Sequence, residues 1–548
     1  MKAVAGGGSA GHNAAPQGEV EARPRWLLLW VGLAGAATMI VELSAVRMVS
    51  PWFGASSGVW TNVIGVILLA LAAGYLLGAR WAASPQLRSR LSLALGAASL
   101  FTAALPWLAA PVCGWFMPRG LSLELAGPLF DWGSLAATCV LFLLPALSLG
   151  AVGPLAVELE ARAVGRADSP GAAGGRVLCA STLGSLLGTF ATTHLLLPRV
   201  GVAGTMGLSA LVLGLGAVAL AGRSRPRAAG LLVLSLAGAA AASRAPSGLF
   251  LPEGVELLEA RESPYQSVRA VSDRRGPEEL RLLQVNEGLD SFQSVWKARP
   301  GALGPGYYYD AFALPPWWSG RREGSWRVAI LGLGAGTTFR VLEGAAPQGL
   351  SIDAVGVEID AVVVEVGRRW FDLPAAGSGG RVVSGVDARS ALRTWENGFD
   401  QIVLDAYAHQ MEIPAHLCSR EAFLEMREKL APGGWLSINL GGFGFEDPLL
   451  VAVAATAASA FDGPVLVLRI GGARNFVVFA RNGVRPVDPR DVDAPRPCLE
   501  LVHLWGPAQL DGGARWVAAT DGPWLSDDLN PIDLLQRRSL AEASRARP

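Results

Sequence analysis

The sequence is poor in the residues that build metal centres and disulfide frameworks. It has five cysteines and five histidines in 548 residues. The cysteines (Cys113, Cys139, Cys179, Cys418 and Cys498) are scattered, and no two have metal-ligand or redox-motif spacing. Three lie in apolar runs and read as small buried hydrophobes. The histidines are equally dispersed, so no metal site is expected. Net charge is also absent, because 46 Lys and Arg balance 46 Asp and Glu. That balance gives no support for nucleic-acid binding. No signal-peptide cleavage pattern precedes the first apolar run. Acidic residues are scarce before residue 250, where long apolar runs take their place.

The runs cover residues 26–46, 61–77, 91–116, 135–157, 177–197 and 202–220. Each approaches the ~20 residues that cross a bilayer. A seventh stretch, 228–242, is short and rich in Ala and Gly, which leaves the count at six or seven. Residues 1–24 read as a disordered tail and 25–245 as a transmembrane domain. Glu42 and Arg47 flank the end of the first run. Ionisable groups at that depth pair, line a cavity, or snorkel to the interface. Gly184 and Gly188 form a small-residue pattern that favours close helix packing, with a substrate path as the alternative.

Residues 243–253 read as a linker, and soluble character begins at Val255. Residues 255–320 read as a β-rich subdomain, in which 268–271 and 279–285 alternate like paired strands. Tyr307 to Asp310 open a predicted helix that runs to Pro315. Residues 321–548 are organised around WRVAILGLGAGTTFRVLEGAAPQGLSIDAVGVEID, positions 326–360. This reads strand, Gly-rich turn, helix, strand, acid. Gly332, Gly334 and Gly336 allow positive φ and close backbone approach. Glu358, about 20 residues on, is placed to accept hydrogen bonds from ribose hydroxyls. Two further predicted strands, 381–383 and 400–404, lead to Asp387 with Ala388 and to Asp405. Open α/β sheets hold ligands at the carboxyl ends of their strands. One acid there suits a dinucleotide, whereas three suit S-adenosylmethionine or a relative. The fold class expected is a multispan α-helical membrane domain followed by an α/β Rossmann-like domain of the S-adenosylmethionine-dependent methyltransferase kind, with a small N-terminal β-subdomain. Further on come an amphipathic helix (419–430), a PGG turn, a strand (435–439) and an antiparallel pair at the sheet edge (465–470 with 476–479). The final TDGPWLSDDLNPIDLL is too apolar at Trp524, Leu525 and Leu529 for a free tail.

From about residue 261 to 535 the chain resembles the spermidine/spermine synthase family, the polyamine aminopropyltransferases. The stretches that carry the resemblance are ESPYQSVRAV, LLQVNEGLDSFQS, GYYYDAFALP, ILGLGAGTT, VGVEID, SGVDAR, FDQIVLDAY, LCSREAFLEMREKLAPGGWLSIN and LSDDLNPIDLL. In the first half, VELSAVRMVSPWFGASSGVW and STLGSLLGTF are similar to a bacterial membrane-fused subgroup. The resemblance implies an aminopropyl transfer from decarboxylated S-adenosylmethionine to an amine acceptor, with methylthioadenosine released. It implies Asp405 as the catalytic carboxylate, Glu358 as the ribose acid, Asp387 and Ala388 as readers of adenine, and Gln266 as a donor contact. Tyr309, Tyr407 and His409 become candidate substrate-binding residues, with His416 in the same loop.

Two departures stand out. The family's Gly-rich loop usually carries an Asp where this chain has Ala335. A second acid three residues past the catalytic Asp is Ala408 here. Both changes weaken the expectation of a diamine acceptor and a decarboxylated donor. An enzyme that uses S-adenosylmethionine itself, such as a methyltransferase, is the alternative; a transporter or sensor with a nucleoside-binding half is a third reading. The partners expected are an amine acceptor, membrane lipid and a second copy in a homodimer, without nucleic acid.

Arginine and lysine cluster in alternate loops: Lys2, Arg23 and Arg25; Arg80, Arg88 and Arg90; Arg162, Arg166 and Arg176; Arg223, Arg225 and Arg227. The intervening loops hold Arg47, Arg119 and Arg199, one each. That bias assigns the N-terminus to the cytoplasm. Six helices would leave the catalytic half in the cytoplasm too, and seven would place it outside. Adenosyl cofactors are cytoplasmic, so an integral inner-membrane protein with a cytoplasmic catalytic domain is the expectation.

Overall fold

The computed structural model describes residues 26–54, 57–118, 123–164, 170–221, 224–242, 251–285, 292–374, 380–407, 413–488, 490, 496–504 and 512–545. Among the described residues, seven helices occupy the first half: α1 (Leu27–Phe53), α2 (Ser57–Ala82), α3 (Leu87–Phe116), α4 (Leu123–Val164), α5 (Pro170–Ala191), α6 (Leu197–Leu220) and α7 (Arg225–Ala242). Five stretches of the described residues are long and apolar enough to cross a membrane, and one of them, Gly171–Leu220, spans both α5 and α6. These two helices run on through a π turn at Thr192–Leu196, and the chain breaks direction at Gly201, where φ is +66°. The helix α4 is far longer than its apolar run. Its 42 residues extend about 63 Å at 1.5 Å per residue, twice the ~30 Å of a hydrocarbon core.

The bundle is tightened by small residues. A Cβ placed on Gly184 would lie 1.8 Å from the Gly32 carbonyl oxygen, so α5 approaches α1 more closely than any other residue permits. Ser185 Oγ adds a hydrogen bond to Gly35 O at 3.1 Å. The packing reading of the 184/188 pair therefore stands. The short α7 is a bundle member, since Ser99 Oγ bonds Ser235 Oγ at 2.9 Å and Trp107 Nε1 donates to Gly238 O at 2.9 Å. Among the described residues, α7 is not one of the stretches long and apolar enough to cross a membrane.

Four antiparallel strands follow, β1 (Val255–Glu262), β2 (Ser267–Asp273), β3 (Leu280–Val285) and β4 (Ser294–Trp296), hydrogen-bonded in chain order. The β2–β3 pairing matches the alternation in the sequence. The mixed pattern of VELLEARE hides β1, whose register slips between Leu257 and Glu259. A 3₁₀ turn at Tyr308–Ala313 then leads into α8 (Leu314–Trp318).

The remaining strands are β5 (Gly324–Leu331), β6 (Leu350–Glu358), β7 (Gly380–Ser384), β8 (Phe399–Leu404), β9 (Leu430–Gly441), β10 (Val465–Arg469), β11 (Asn475–Arg481) and β12 (Ala514–Val517). They form one sheet of order β12-β10-β11-β9-β8-β5-β6-β7. The run β7-β6-β5-β8-β9 is parallel, and β11, β10 and β12 are antiparallel additions. The β10–β11 pair is not at the edge, as the sequence predicted. β11 sits against β9, and β12 covers the outer side of β10. The helices are α9 (Thr337–Ala345), α10 (Ala361–Trp370), α11 (Ala388–Thr394), α12 (Arg420–Lys429), α13 (Pro448–Ala460) and α14 (Ile532–Arg545). Side-chain caps start several of them: Asp360, Asp387, Ser419 and Asp447 each accept a backbone N–H of the first turn.

The terminal segment departs from expectation in one respect. Leu525 is buried, but Trp524 and Leu529 are exposed. What ties this segment down is Asp527, which accepts from Arg389 Nη1 and Nη2 at 2.7 and 2.8 Å and from Ser419 Oγ at 2.5 Å.

Candidate active site

The parallel strands all deliver their carboxyl ends to one cleft of about 480 Å³. Its position follows from strand order: β5 and β8 lie side by side at the centre, where the order of the parallel strands reverses. Gly332 follows β5 at φ +90°, and a Cβ there would stand 2.4 Å from the Asp405 carbonyl oxygen. Only glycine lets the two loops approach this closely. Gly334 and Gly336 also adopt positive φ, and Gly336 starts α9.

Asp405 follows β8 at the cleft floor. Its Oδ1 accepts from Asn439 Nδ2 at 2.9 Å and its Oδ2 from the Tyr308 hydroxyl at 3.2 Å. Burial pushes its carboxyl up to about 7, against the pull of these two donors. Asn475 Nδ2 in turn donates to Asn439 Oδ1 at 2.9 Å, which fixes the amide that faces the acid.

Glu358 ends β6. Its Oε2 accepts the Gly334 N–H at 2.9 Å and its Oε1 the Asp360 N–H at 3.1 Å. Burial raises this carboxyl to about 7 as well, with the backbone donors acting the other way. Each oxygen keeps a lone pair for a ligand hydroxyl. Asp387 caps α11 through Ser390 N–H (3.0 Å) and meets His416 Nε2 at 2.7 Å. Burial opposes its ionisation, but these donors prevail and hold it below the usual carboxylate range. Ala388 begins α11 beside it, and Gln266 also lines the cleft.

The tyrosines sort differently from expectation. Tyr309 lines the cleft but is buried, and its hydroxyl donates to Gln293 O at 2.9 Å. Its neighbour Tyr308, stacked on it at 4.1 Å, is the one that reaches Asp405. Tyr407 also lines the cleft, and its hydroxyl donates to Asn439 O at 2.8 Å. His409 and Ala408 lie outside the described residues. Sequence reasoning missed Tyr308 and Asn439. Asn439 ends a strand that the sequence predicted, so the strand-end rule that found the three acids would have found it too. Ala335 is buried with Val363, Val366 and Phe371, so the place of the family's loop Asp is apolar. Among the described residues, no three His, Cys, Asp or Glu side chains are grouped to hold a metal ion.

No family model matches the chain. Among curated proteins, a probable polyamine aminopropyl transferase of Bifidobacterium longum is 31% identical over 219 residues, which is 40% of this chain and 45% of that protein. The chain thus spans less than half the length of this relative. The polyamine aminopropyltransferase 2 of Streptomyces coelicolor is 27% identical over 90% of each chain. Among solved structures, a probable spermidine synthase from Corynebacterium glutamicum is 19% identical, with a TM-score of 0.38, covering 48% of this chain and 90% of its own.

Proposed function

We propose that this chain is a membrane-anchored polyamine aminopropyltransferase, which moves an aminopropyl group from decarboxylated S-adenosylmethionine to an amine. The similarity to polyamine aminopropyltransferases supports the reaction class. The observation that carries the reading is Asp405: an acid poised near neutrality, held by two donors, at the centre of a cleft whose other acids suit a nucleoside.

The described residues fit the donor. The cleft volume lies in the range of small-molecule sites. Glu358 has lone pairs for both ribose hydroxyls, Asp387 and Ala388 border the adenine position, and Gln266 closes the wall. The donor supplies a sulfonium whose adjacent carbon is open to attack. The acceptor nitrogen forms the new N–C bond as the C–S bond breaks, and methylthioadenosine leaves with the electron pair. A protonated amine has no lone pair to give, so Asp405 takes the amine's proton and holds the nitrogen in line. Tyr308 and Asn439 keep that carboxylate oriented.

The seven-helix half anchors the enzyme in a membrane, and a cytoplasmic donor pool assigns the catalytic half to the cytoplasmic face. A second reading has one observation in its favour. The apolar surroundings of Ala335 offer no carboxylate to the donor's amine, which suits S-adenosylmethionine, whose own carboxylate an acid would repel.

The deciding measurement uses the full chain in detergent, with both donors, by calorimetry and by release of methylthioadenosine. Preference for the decarboxylated donor is expected. Asp405→Asn should lower turnover a hundredfold or more while donor affinity stays within a few-fold. Preference for S-adenosylmethionine, with a methyl group transferred, would replace this reading by the second.

A further inference from the structure

The turn between β1 and β2 supplies two residues of the cleft wall, Tyr265 and Gln266. It is built on Ser263. The Ser263 N–H donates to Gln266 O at 2.9 Å, and its Oγ accepts the N–H groups of Tyr265 (3.1 Å) and Gln266 (2.9 Å). The same hydroxyl donates to Asp360 Oδ2 at 2.6 Å. Asp360 is fully buried, and its N–H is one of the two that hold Glu358. A single serine therefore joins the 263–266 turn to the strand end that carries Glu358.

The carbonyls of this turn are held from the membrane half. Arg47 of α1 donates through Nη1 to Ser263 O at 3.1 Å and through Nη2 to Pro264 O. The carboxylates of Glu262 and Asp360 lie within electrostatic reach of its guanidinium. The start of α6 abuts the same place, with Glu262 Cγ 3.6 Å from where a Cβ on Gly201 would stand. The 27 residues of α1 extend about 40 Å, longer than a hydrocarbon core, so its last turns emerge where Arg47 meets the sheet. Arg47 is six residues from the helix end. A planar fork of donors suits two neighbouring carbonyls, which a lysine ammonium serves less well.

We propose that Arg47 is a positioning residue for donor binding: a membrane helix fixes the turn that carries Gln266 and, through Ser263 and Asp360, the acid Glu358. The proposal rests on the reading of the cleft as a nucleoside-donor site. It gives the membrane half a part in the active site beyond anchoring.

The test uses the full chain in detergent, with Arg47→Ala and Arg47→Lys. Steady-state kinetics with decarboxylated S-adenosylmethionine are paired with calorimetric binding of methylthioadenosine and a thermal melt. Arg47→Ala should raise the donor KM and weaken methylthioadenosine binding tenfold or more, with kcat within threefold of wild type. Arg47→Lys should recover part of the loss. Donor KM and nucleoside affinity within twofold of wild type would overturn the proposal. Equal losses in kcat, acceptor KM and melting temperature would also overturn it, since they mark a general structural role. A wild-type protein that transfers nothing yet binds methylthioadenosine would remove the reaction and leave Arg47 to be judged by binding alone. One that binds no nucleoside would overturn both.

Discussion

Asp405 is an acid whose resting ionisation is set by a contest. Burial raises it, while the Tyr308 hydroxyl and the Asn439 amide stabilise its anion. A base has to be ionised to work, so kcat/KM should climb as pH passes about 7. Tyr308→Phe removes one donor from the charged form, and the acidic limb of the pH profile should then move to higher pH. A limb that moves to lower pH, or stays put, would remove Tyr308 from this role. At this scale the sequence was readable wherever chemistry and strand ends coincide. Glu358, Asp387 and Asp405 each sit just past a short apolar run. Tyr308 was not readable, because it meets Asp405 from 97 residues upstream. Three consecutive tyrosines also offer no periodicity to say which one faces the cleft. The 3₁₀ turn decides it by putting Tyr309 into the core.

Elements meet at Arg389, whose side chain is nearly buried. It bonds Glu425 of α12, Asp527 of the terminal segment and the carbonyl of His416. This one guanidinium ties α11, which begins at Ala388, to both. Removing it strips Glu425 and Asp527 of a nearly buried partner and leaves them only Arg393 and Ser419. Arg389→Ala should lower stability by roughly 3 kcal/mol, seen as a fall in melting temperature, with weaker binding of the adenine end. Burial works against ionising Glu425, yet Arg393 and Arg389 hold its carboxyl down to about 2. A depressed carboxyl stabilises the fold above its unfolded value and loses that contribution as pH falls towards the folded one. Unfolding should therefore steepen as pH drops from ~4.5 towards 2, and less so in Glu425→Gln. Most strands and helices here were legible from apolar runs, alternation and glycine turns, but the short helices α10, α11 and α13 were not. The sheet's far side was not: β12 is a four-residue strand of ordinary composition, placed only by its pairing with β10. The length of α4 was hidden too, since helix persists through polar flanks that hydropathy ends.

For the whole molecule the parity of the helix count decides the geometry. If all seven helices cross, the start of α1 and the two sheets lie on opposite faces, and a cytoplasmic donor would put the start of α1 outside. A reporter fused before α1 should read the far compartment, and one fused after α14 the cytoplasm. The reverse result would follow the arginine bias and require the donor to be met outside the cell interior. Two reporters in one compartment would mean that α7 does not cross. This was the least legible feature of all, because an 18-residue helix that opens with two arginines falls between a span and a surface helix.

If α1 spans a bilayer and Arg47 positions the donor site, the contact of α1 with the Ser263 turn would make the bilayer itself an effector. A thicker or thinner lipid phase changes the tilt that a 40 Å helix adopts, and Arg47 rides on that helix. Whatever free energy a change of tilt takes from donor binding, a bound donor must return as resistance to that tilt. Lipid chain length would then be read out as a nucleoside affinity.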